Sequence, residues 1–131
     1  MQDVMELKRL VWTTTPGALL GVLMGEVRRA RGVKVADLVP VYGLSQSSIS
    51  RMETGKLPLP FHCVWEFCRM FAVAPADLFA ELDEWIERVE AEGVVVRARP
   101  PEGARPLPGN EVRQVYLARA LPKHLTHGKE E

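Results

Sequence analysis

The sequence predicts a mainly α-helical protein, a bundle of about five helices followed by a small C-terminal extension. Apolar residues recur at helical spacing from residue 19 to residue 89, and glycine or proline interrupts them at short intervals. Within this region, residues 43–45 read Gly-Leu-Ser, which is typical of a sharp turn between two helices. The chain has 131 residues, of which 47% are hydrophobic, so it is long enough to bury one core.

A first helix is predicted to begin after Thr15 and Pro16, because threonine caps helices and proline suits the first helical position. The pattern stops at Gly32, and its apolar positions are Leu19, Leu20, Leu23 and Val27. A short second helix is marked by Val35, Leu38 and Val39. Pro40 is expected to shorten or kink that helix, since proline lacks a backbone N–H.

A third helix is predicted after the turn, where Gly43 can adopt the left-handed conformation. Ser45 caps this helix, which continues to about Thr54 with Ile49 and Met52 facing inward. The side chains left facing outward are those of Gln46, Ser47, Ser50 and Arg51. A fourth helix is predicted after two prolines, with an inner face of Phe61, Val64, Trp65, Cys68 and Phe71.

The outward side chains of the third helix are of the kinds that bind DNA bases. Glutamine forms two hydrogen bonds with adenine, arginine forms two with guanine, and short hydroxyls reach bases or phosphates without holding a helix away from the groove. Taken alone, so short a run is more typical of an ordinary solvated helix face. The flanking motifs decide between the two interpretations.

Four motifs in the right order and spacing resemble the Cro/CI-type helix-turn-helix family of bacterial and phage regulators, often called the XRE family. They are Arg-x-x-x-Gly at residues 28–32, Gly-x-Ser at 43–45, Ile-Ser-x-x-Glu-x-Gly at 49–55 and Val-x-x-x-x-Leu at 73–78. The resemblance covers residues 19–79. It implies a lambda-repressor-like bundle whose third helix enters the major groove of double-stranded DNA.

The resemblance also implies roles for particular residues. Base reading falls to Gln46, Ser47, Ser50 and Arg51, and phosphate binding falls to Lys34, Ser45, Ser48, Thr54 and Lys56. Arg28 and Glu53 are implied to form an ion pair that ties the third helix to the first. Such a pair supports the fold and does not read bases.

The chain departs from the family pattern in three places. Lys34 and Val35 stand where the second helix usually begins with Ser or Thr and then Gln, so a customary phosphate contact is missing. Lys34 can replace that contact as a point charge, but it cannot cap the helix as a hydroxyl would. Val39 and Pro40 replace the usual small residue of this helix, and Leu59 lies where proline is common in the following loop.

The net charge is zero, but it is unevenly distributed along the chain. Residues 16–75 contain seven Lys and Arg against four Asp and Glu, which leaves +3. Residues 76–92 contain seven Asp and Glu against one Arg, which leaves −6. The first region therefore suits a phosphate backbone, whereas the second cannot approach one.

The acidic region nevertheless carries an apolar stripe at helical spacing, formed by Leu78, Phe79, Leu82, Trp85, Ile86 and Val89. This stripe is longer than the bundle needs, so either the C-terminal segment of the same chain or a second subunit must cover it. We expect both, because operator symmetry usually mirrors protein symmetry. The predicted dimerisation residues are Leu82, Trp85, Ile86 and Val89.

Beyond Gly93, residues 94–99 are predicted to form a short strand and residues 100–109 a loop rich in proline and glycine. Residues 112–121 fit either a strand or a helix that Asn110 caps. We prefer a strand that pairs with residues 94–99 as a β-hairpin, within the chain or across a dimer. Residues 1–14 are too apolar for a free arm and are expected to pack against the C-terminal part.

The predicted organisation is an N-terminal packing segment (1–15), a helix-turn-helix DNA-binding domain (16–80), a C-terminal dimerisation extension (81–122) and a disordered tail (123–131). No apolar run reaches 18 residues and the N-terminus has no signal-peptide pattern, so we expect a cytoplasmic protein without membrane contact. Cys63 and Cys68 are expected to be reduced. No metal site, cofactor or catalytic residue is expected, since neither ligand spacing nor a nucleophile–base pair is visible.

The sequence thus predicts a homodimeric transcriptional repressor that binds an inverted-repeat operator and is not an enzyme. The alternative is a protein-interaction module, such as an antitoxin or adaptor, whose helix at residues 76–92 binds an unidentified protein partner. The neutral net charge and the missing phosphate-binding glutamine keep this alternative open.

Overall fold

The computed structural model of the protein describes residues 11–112 and 121–127. The helices of these residues are α1 (Pro16–Ala30), α2 (Val35–Tyr42), α3 (Gln46–Met52), α4 (Phe61–Met70), α5 (Pro75–Ala91), α6 (Gly109–Glu111) and α7 (Lys123–Thr126). The strands are β1 (Trp12–Thr14), β2 (Val95–Val96) and β3 (Arg105–Pro106). The mainly helical fold with five principal helices is confirmed, and α6 and α7 are short additions. No helix of the described residues has the length and apolarity that crossing a bilayer requires.

Local signals begin and end the first helices where the sequence predicts. Thr15 Oγ1 accepts the backbone N–H of Ala18 at 3.0 Å, which caps α1. Gly32 and Gly43 have φ angles of +69° and +67°, so each ends a helix in the left-handed conformation. These turns bring α2 and α3 together as two short helices at the surface.

Pro40 lies inside α2, and the helix continues for two residues to Tyr42. At eight residues α2 is nevertheless short. Its first turn is stabilised by Asp37, whose Oδ2 accepts the backbone N–H of Lys34 at 3.2 Å. Lys34 is therefore the residue before the helix, as predicted, and its side chain remains in solvent.

The inner face of α4 differs from the predicted one. Cys63, Val64, Phe67 and Cys68 are buried, whereas Phe61 is 75% exposed and Trp65 is 51% exposed. His62 Nε2 donates to the carbonyl oxygen of Tyr42 at 2.9 Å and so orients the first turn of α4 on the end of α2. The prediction that Phe61 and Trp65 face inward is wrong, because two overlapping sets of residues in this helix have helical spacing and only packing selects one.

Most of the apolar stripe of α5 is covered by the same chain, although Phe79 is 45% exposed. Leu82, Trp85 and Val89 are 6%, 2% and 0% exposed, and α5 packs against α1 and β2. Trp85 Nε1 donates to the buried carboxylate of Glu81 at 3.0 Å. Three of the four predicted dimerisation residues thus lie in the core, and only Ile86 is partly exposed. A second subunit could contact those three side chains only if this core opened.

The strands form a sheet in the order β2-β1-β3, and both pairs are parallel. Thr13 lies opposite Val95 in one pair and opposite Pro106 in the other. Of the predicted strand at residues 94–99, Val95 and Val96 pair with β1, whereas residues 1–10 of the predicted N-terminal packing segment lie outside the described residues. The strand forms no hairpin with the described residues of 112–121, since Val112 caps α6; residues 113–120 lie outside the described residues.

Residues 123–127 belong to the folded structure, although a disordered tail was expected from residue 123 onward. Leu125 of α7 is fully buried. Arg31 Nε donates to the carbonyl oxygen of Leu125 at 2.8 Å, and Arg31 Nη1 donates to that of Phe71 at 2.8 Å. One arginine at the end of α1 thus attaches α7 to the bundle, a long-range contact that local composition does not reveal.

Candidate nucleic-acid interface

Helix α3 is short and lies at the surface with one apolar side turned inward. Ser45 Oγ accepts the backbone N–H of Ser48 at 3.2 Å, so the hydroxyl caps the helix as predicted. Ile49 and Met52 are 0% and 3% exposed and anchor α3 in the core. The remaining side of the helix is free to meet another surface.

Two glycines of α1 let α3 approach closely. A Cβ on Gly21 would overlap the carbonyl oxygen of Met52, and a Cβ on Gly25 would lie 3.1 Å from Glu53 Cδ. Position 21 therefore accepts only glycine at this separation between α1 and α3, and a Cβ at position 25 would require the Glu53 side chain to shift by a few tenths of an ångström. The sequence interpretation missed both residues, although their Gly-x-x-x-Gly spacing within a predicted helix was a visible signal.

Arg28 and Glu53 form the ion pair that the family resemblance implies. Arg28 Nε donates to Glu53 Oε2 at 2.7 Å and Arg28 Nη2 donates to Glu53 Oε1 at 2.8 Å, so the contact is bidentate. Arg28 Nη1 also donates to the carbonyl oxygen of Val33 at 2.8 Å. With about a tenth of each side chain exposed, the pair is a buried brace between α1, the segment that precedes α2, and the end of α3.

The outward side of α3 carries the four predicted base-reading residues. Gln46, Ser47, Ser50 and Arg51 are all exposed. Within one short helix they present an amide, two hydroxyls and a guanidinium, which are the groups that hydrogen-bond to base edges in a major groove. The buried residues of α3 and the ion pair hold this surface rigidly against α1.

The predicted phosphate-binding residues lie before α2, at or within α3, and in the segment that follows α3. Lys34, Ser45, Thr54 and Lys56 are exposed, while Ser48 is half-buried. The Ser45 hydroxyl donates to that of Ser48 at 3.0 Å, and Thr54 Oγ1 lies 3.2 Å from the carbonyl oxygens of both Ser50 and Arg51. The serines and Thr54 therefore form hydrogen bonds within α3 and at its ends. Lys34 and Lys56 form no ion pair with the described residues, so their charges are available to a phosphate.

The C-terminal extension reaches the segment that follows α3. Gly109 is buried, and a Cβ at this position would lie 3.0 Å from the carbonyl oxygen of Thr54. Ala98 faces Lys56 and Leu57 across an open cleft of about 520 Å³ that also includes the first residues of α1. The C-terminal extension thus packs against Thr54, just after α3. Sequence spacing could not predict this contact.

Two thiols, those of Cys63 and Cys68, lie on the buried face of α4. Burial raises the pKa of both Cys63 and Cys68 above that of an ordinary thiol, so both stay protonated near neutral pH. Burial also raises the pKa of Tyr42, whose ring is part of the same core. Among the described residues, no group of three His, Cys, Asp or Glu side chains is arranged to hold a metal ion.

Comparison with protein families identifies the central region of the chain. Residues 19–82 match the family model described as a helix-turn-helix domain. Comparisons with curated proteins and with solved structures find no match. The matched span runs from the first buried leucine of α1 to Leu82 in α5, so it contains the turn, α3 and the ion pair. Residues 19–82 are therefore a helix-turn-helix domain of the Cro/CI type, the XRE-like family to which the sequence motifs pointed.

Proposed function

We propose that this DNA-binding regulator is a homodimeric transcriptional repressor that places α3 in the major groove of each half of an inverted-repeat operator. The observation that carries the proposal is the exposed set of Gln46, Ser47, Ser50 and Arg51 on a helix that is held by buried residues and an ion pair. Direct base readout requires a helix held in place whose exposed polar side chains can hydrogen-bond to base edges.

The proposed division of labour follows the chemistry of each side chain. Gln46 and Arg51 read bases through paired hydrogen bonds, and the small serines let the helix enter the groove. Lys34 and Lys56 bind phosphates as point charges on either side, so they position the domain without selecting a sequence.

The homodimer follows from the geometry of the target. One seven-residue helix covers only a few base pairs, so a longer operator needs two copies. Two copies related by a two-fold axis read half-sites about 34 Å apart, or a multiple of that distance. Repression needs nothing beyond occupancy of such an operator, which this arrangement would supply.

The test is selection of bound sequences from random duplex DNA at near-physiological salt. We expect an enriched inverted repeat for the natural chain and loss of that enrichment for the double variant Gln46→Ala, Arg51→Ala. Arg88→Ala is the matched control, because it removes a cation from the acidic helix α5 and should retain the repeat. No enrichment with the natural chain, or equal enrichment with the double variant, would refute the proposal.

The alternative of an antitoxin or adaptor relied on the apolar stripe of α5 as a free docking surface. Leu82, Trp85 and Val89 are covered by their own chain. Of that stripe, only Phe79 and the partly exposed Ile86 are left for a different protein to bind, so the proposal of a DNA-binding repressor is preferred.

A further inference from the structure

Helix α4 exposes two large aromatic side chains next to each other. Phe61 is 75% exposed and Trp65 is 51% exposed, and their spacing of four residues places them on the same side of the helix. Aromatic side chains contribute much of the binding energy of protein interfaces when they are buried. We call Phe61, Trp65 and the exposed Arg69, one further turn along, the α4 face.

The charges of this helix do not oppose contact with a second copy of the chain. The polar side of α4 contains His62, Glu66 and Arg69, so the formal charge is zero with neutral histidine. Two copies that meet here do not repel each other. The exposed side of α5 lies in the region with a net charge of −6, so self-association through that side would bring like charges together.

The spacing of the α4 face is also self-complementary. Trp65 lies four residues from Phe61 in one direction and four residues from Arg69 in the other. If two α4 helices pack antiparallel with the two-fold axis at Trp65, each Phe61 ring meets the partner's Arg69 guanidinium. Such a pair is a cation–π contact, and the two tryptophans meet at the axis.

We propose that a second copy of this chain docks on the α4 face, with the two α4 helices antiparallel about Trp65. The inference rests on the proposed function only in that it names the dimer contact of the regulator. It replaces the stripe of α5, whose central residues are buried within one chain. An unrelated protein partner would not need the equal spacing of an aromatic residue and a cation on either side of the tryptophan.

The main test measures mass by analytical ultracentrifugation over a wide concentration range. We expect a dimer for the natural chain and a dimer dissociation constant raised at least about 100-fold for Phe61→Ser, Trp65→Ser, since both aromatic anchors are removed. The matched control is Met70→Ser, Phe79→Ser, which removes two other exposed apolar side chains and should change the constant by no more than about threefold. Thermal unfolding of each variant checks that it is folded.

A monomeric natural chain would overturn the proposal. A dimer that is equally stable in the Phe61→Ser, Trp65→Ser variant would also overturn it. If the Met70→Ser, Phe79→Ser control lost the dimer instead, the contact would lie elsewhere, and the proposal would also be overturned.

Cross-linking tests the antiparallel register. Cys63 and Cys68 are buried, so a cysteine introduced on the α4 face is the accessible thiol. A mixture of Phe61→Cys and Arg69→Cys proteins should form disulfide-linked dimers under mild oxidation, because positions 61 and 69 face each other across the axis. Arg69→Cys alone should not, since its two copies lie at opposite ends of the contact; rapid cross-linking of that single variant would contradict the register.

A DNA measurement separates this inference from the proposed function. If the Phe61→Ser, Trp65→Ser monomer still binds a single half-site, the DNA-binding role and the α4 contact are both supported. If the natural chain dimerises through α4 but selects no sequence, the contact stands and the repressor proposal fails. If the natural chain selects an inverted repeat while the double variant remains dimeric, the repressor proposal stands and the α4 contact fails.

Discussion

At the scale of single residues, the interface depends on a division between side chains that hold α3 and side chains that it presents. Arg28 and Glu53 are nearly buried and use their charges on each other. Arg51 and Lys56 are exposed and free of such a contact in the described residues. Buried charges without a partner are costly, whereas exposed charges are available to a ligand. Mutations of the ion pair should therefore lower the stability of the fold, whereas mutations of Arg51 or Lys56 should lower the affinity for DNA.

Replacing Glu53 with Ala should lower the free energy of unfolding by about 3 to 5 kcal/mol, because it leaves the Arg28 guanidinium buried without its carboxylate. Urea denaturation measures this loss. Arg29→Ala is the control: Arg29 is more than a third exposed and approaches Glu53 only at 3.8 Å, so its loss should cost less than about 1 kcal/mol. Equal effects of the two substitutions would argue against the brace.

Replacing Arg51 with Ala should cost about 1 to 3 kcal/mol on the selected operator and relax the preference at one base pair. Lys56→Ala should instead weaken binding to all sequences and lower the slope of log affinity against log salt by about one. Both are read from binding titrations on operator and random duplexes at several salt concentrations. If Arg51→Ala weakened both duplexes equally, a base-reading role for Arg51 would be untenable.

At the scale of elements, α3 is too short to hold its own conformation and depends on α1 beneath it. A seven-residue helix is marginal in water, so packing must supply most of its stability. Gly21 and Gly25 allow that packing, because α1 presents backbone rather than side chains to Met52 and Glu53. The extension adds support from the other side, where Gly109 lies against Thr54.

Gly21→Ala should lower the free energy of unfolding by about 1 to 3 kcal/mol, since the added methyl group overlaps the Met52 carbonyl and pushes α3 outward. Gly17→Ala, in the same helix, has its nearest neighbour 3.9 Å away and should instead stabilise the fold by about 0.5 to 1 kcal/mol. Thermal unfolding distinguishes them. Similar shifts for both variants would show that the close approach of α1 and α3 has no energetic weight.

At the scale of the whole molecule, the first and last of the described residues complete the bundle. The N-terminal strand β1 lies between β2 and β3, and α7 returns to the end of α1. Arg31 connects this return to the α4–α5 turn through the carbonyl oxygens of Leu125 and Phe71. The DNA-binding helices are therefore part of a single packed unit with the C-terminal extension.

Leu125→Ala should lower the free energy of unfolding by about 2 to 5 kcal/mol, because a fully buried leucine leaves a cavity when truncated. Chemical denaturation measures the change. Thr126→Ala, at the neighbouring position, removes only a hydroxyl that lies 3.5 Å from a carbonyl oxygen of its own turn and should change stability by less than about 0.5 kcal/mol. An unchanged Leu125→Ala variant would mean that α7 contributes nothing to the fold.

Local chemistry determined the central region from the sequence alone. Thr15 and Ser45 cap their helices, Gly43 makes the turn, and the outward positions of α3 follow from the helical period. These features involve neighbours within a few residues, so the amino-acid order is sufficient to specify them. The ion pair of Arg28 and Glu53 came from the family resemblance, which carries long-range information that spacing lacks.

Tertiary structure alone decided the rest. Phe61 and Trp65 have the same period as the residues that are buried, and only the packing of α4 on α2 turns them to solvent. The pairing of β1 with two strands far along the chain, and the return of Leu125 to the core, likewise depend on contacts between distant residues. Periodicity predicts that one side of a helix or strand is apolar. Which surface covers that side depends on how all elements of the chain pack into one core.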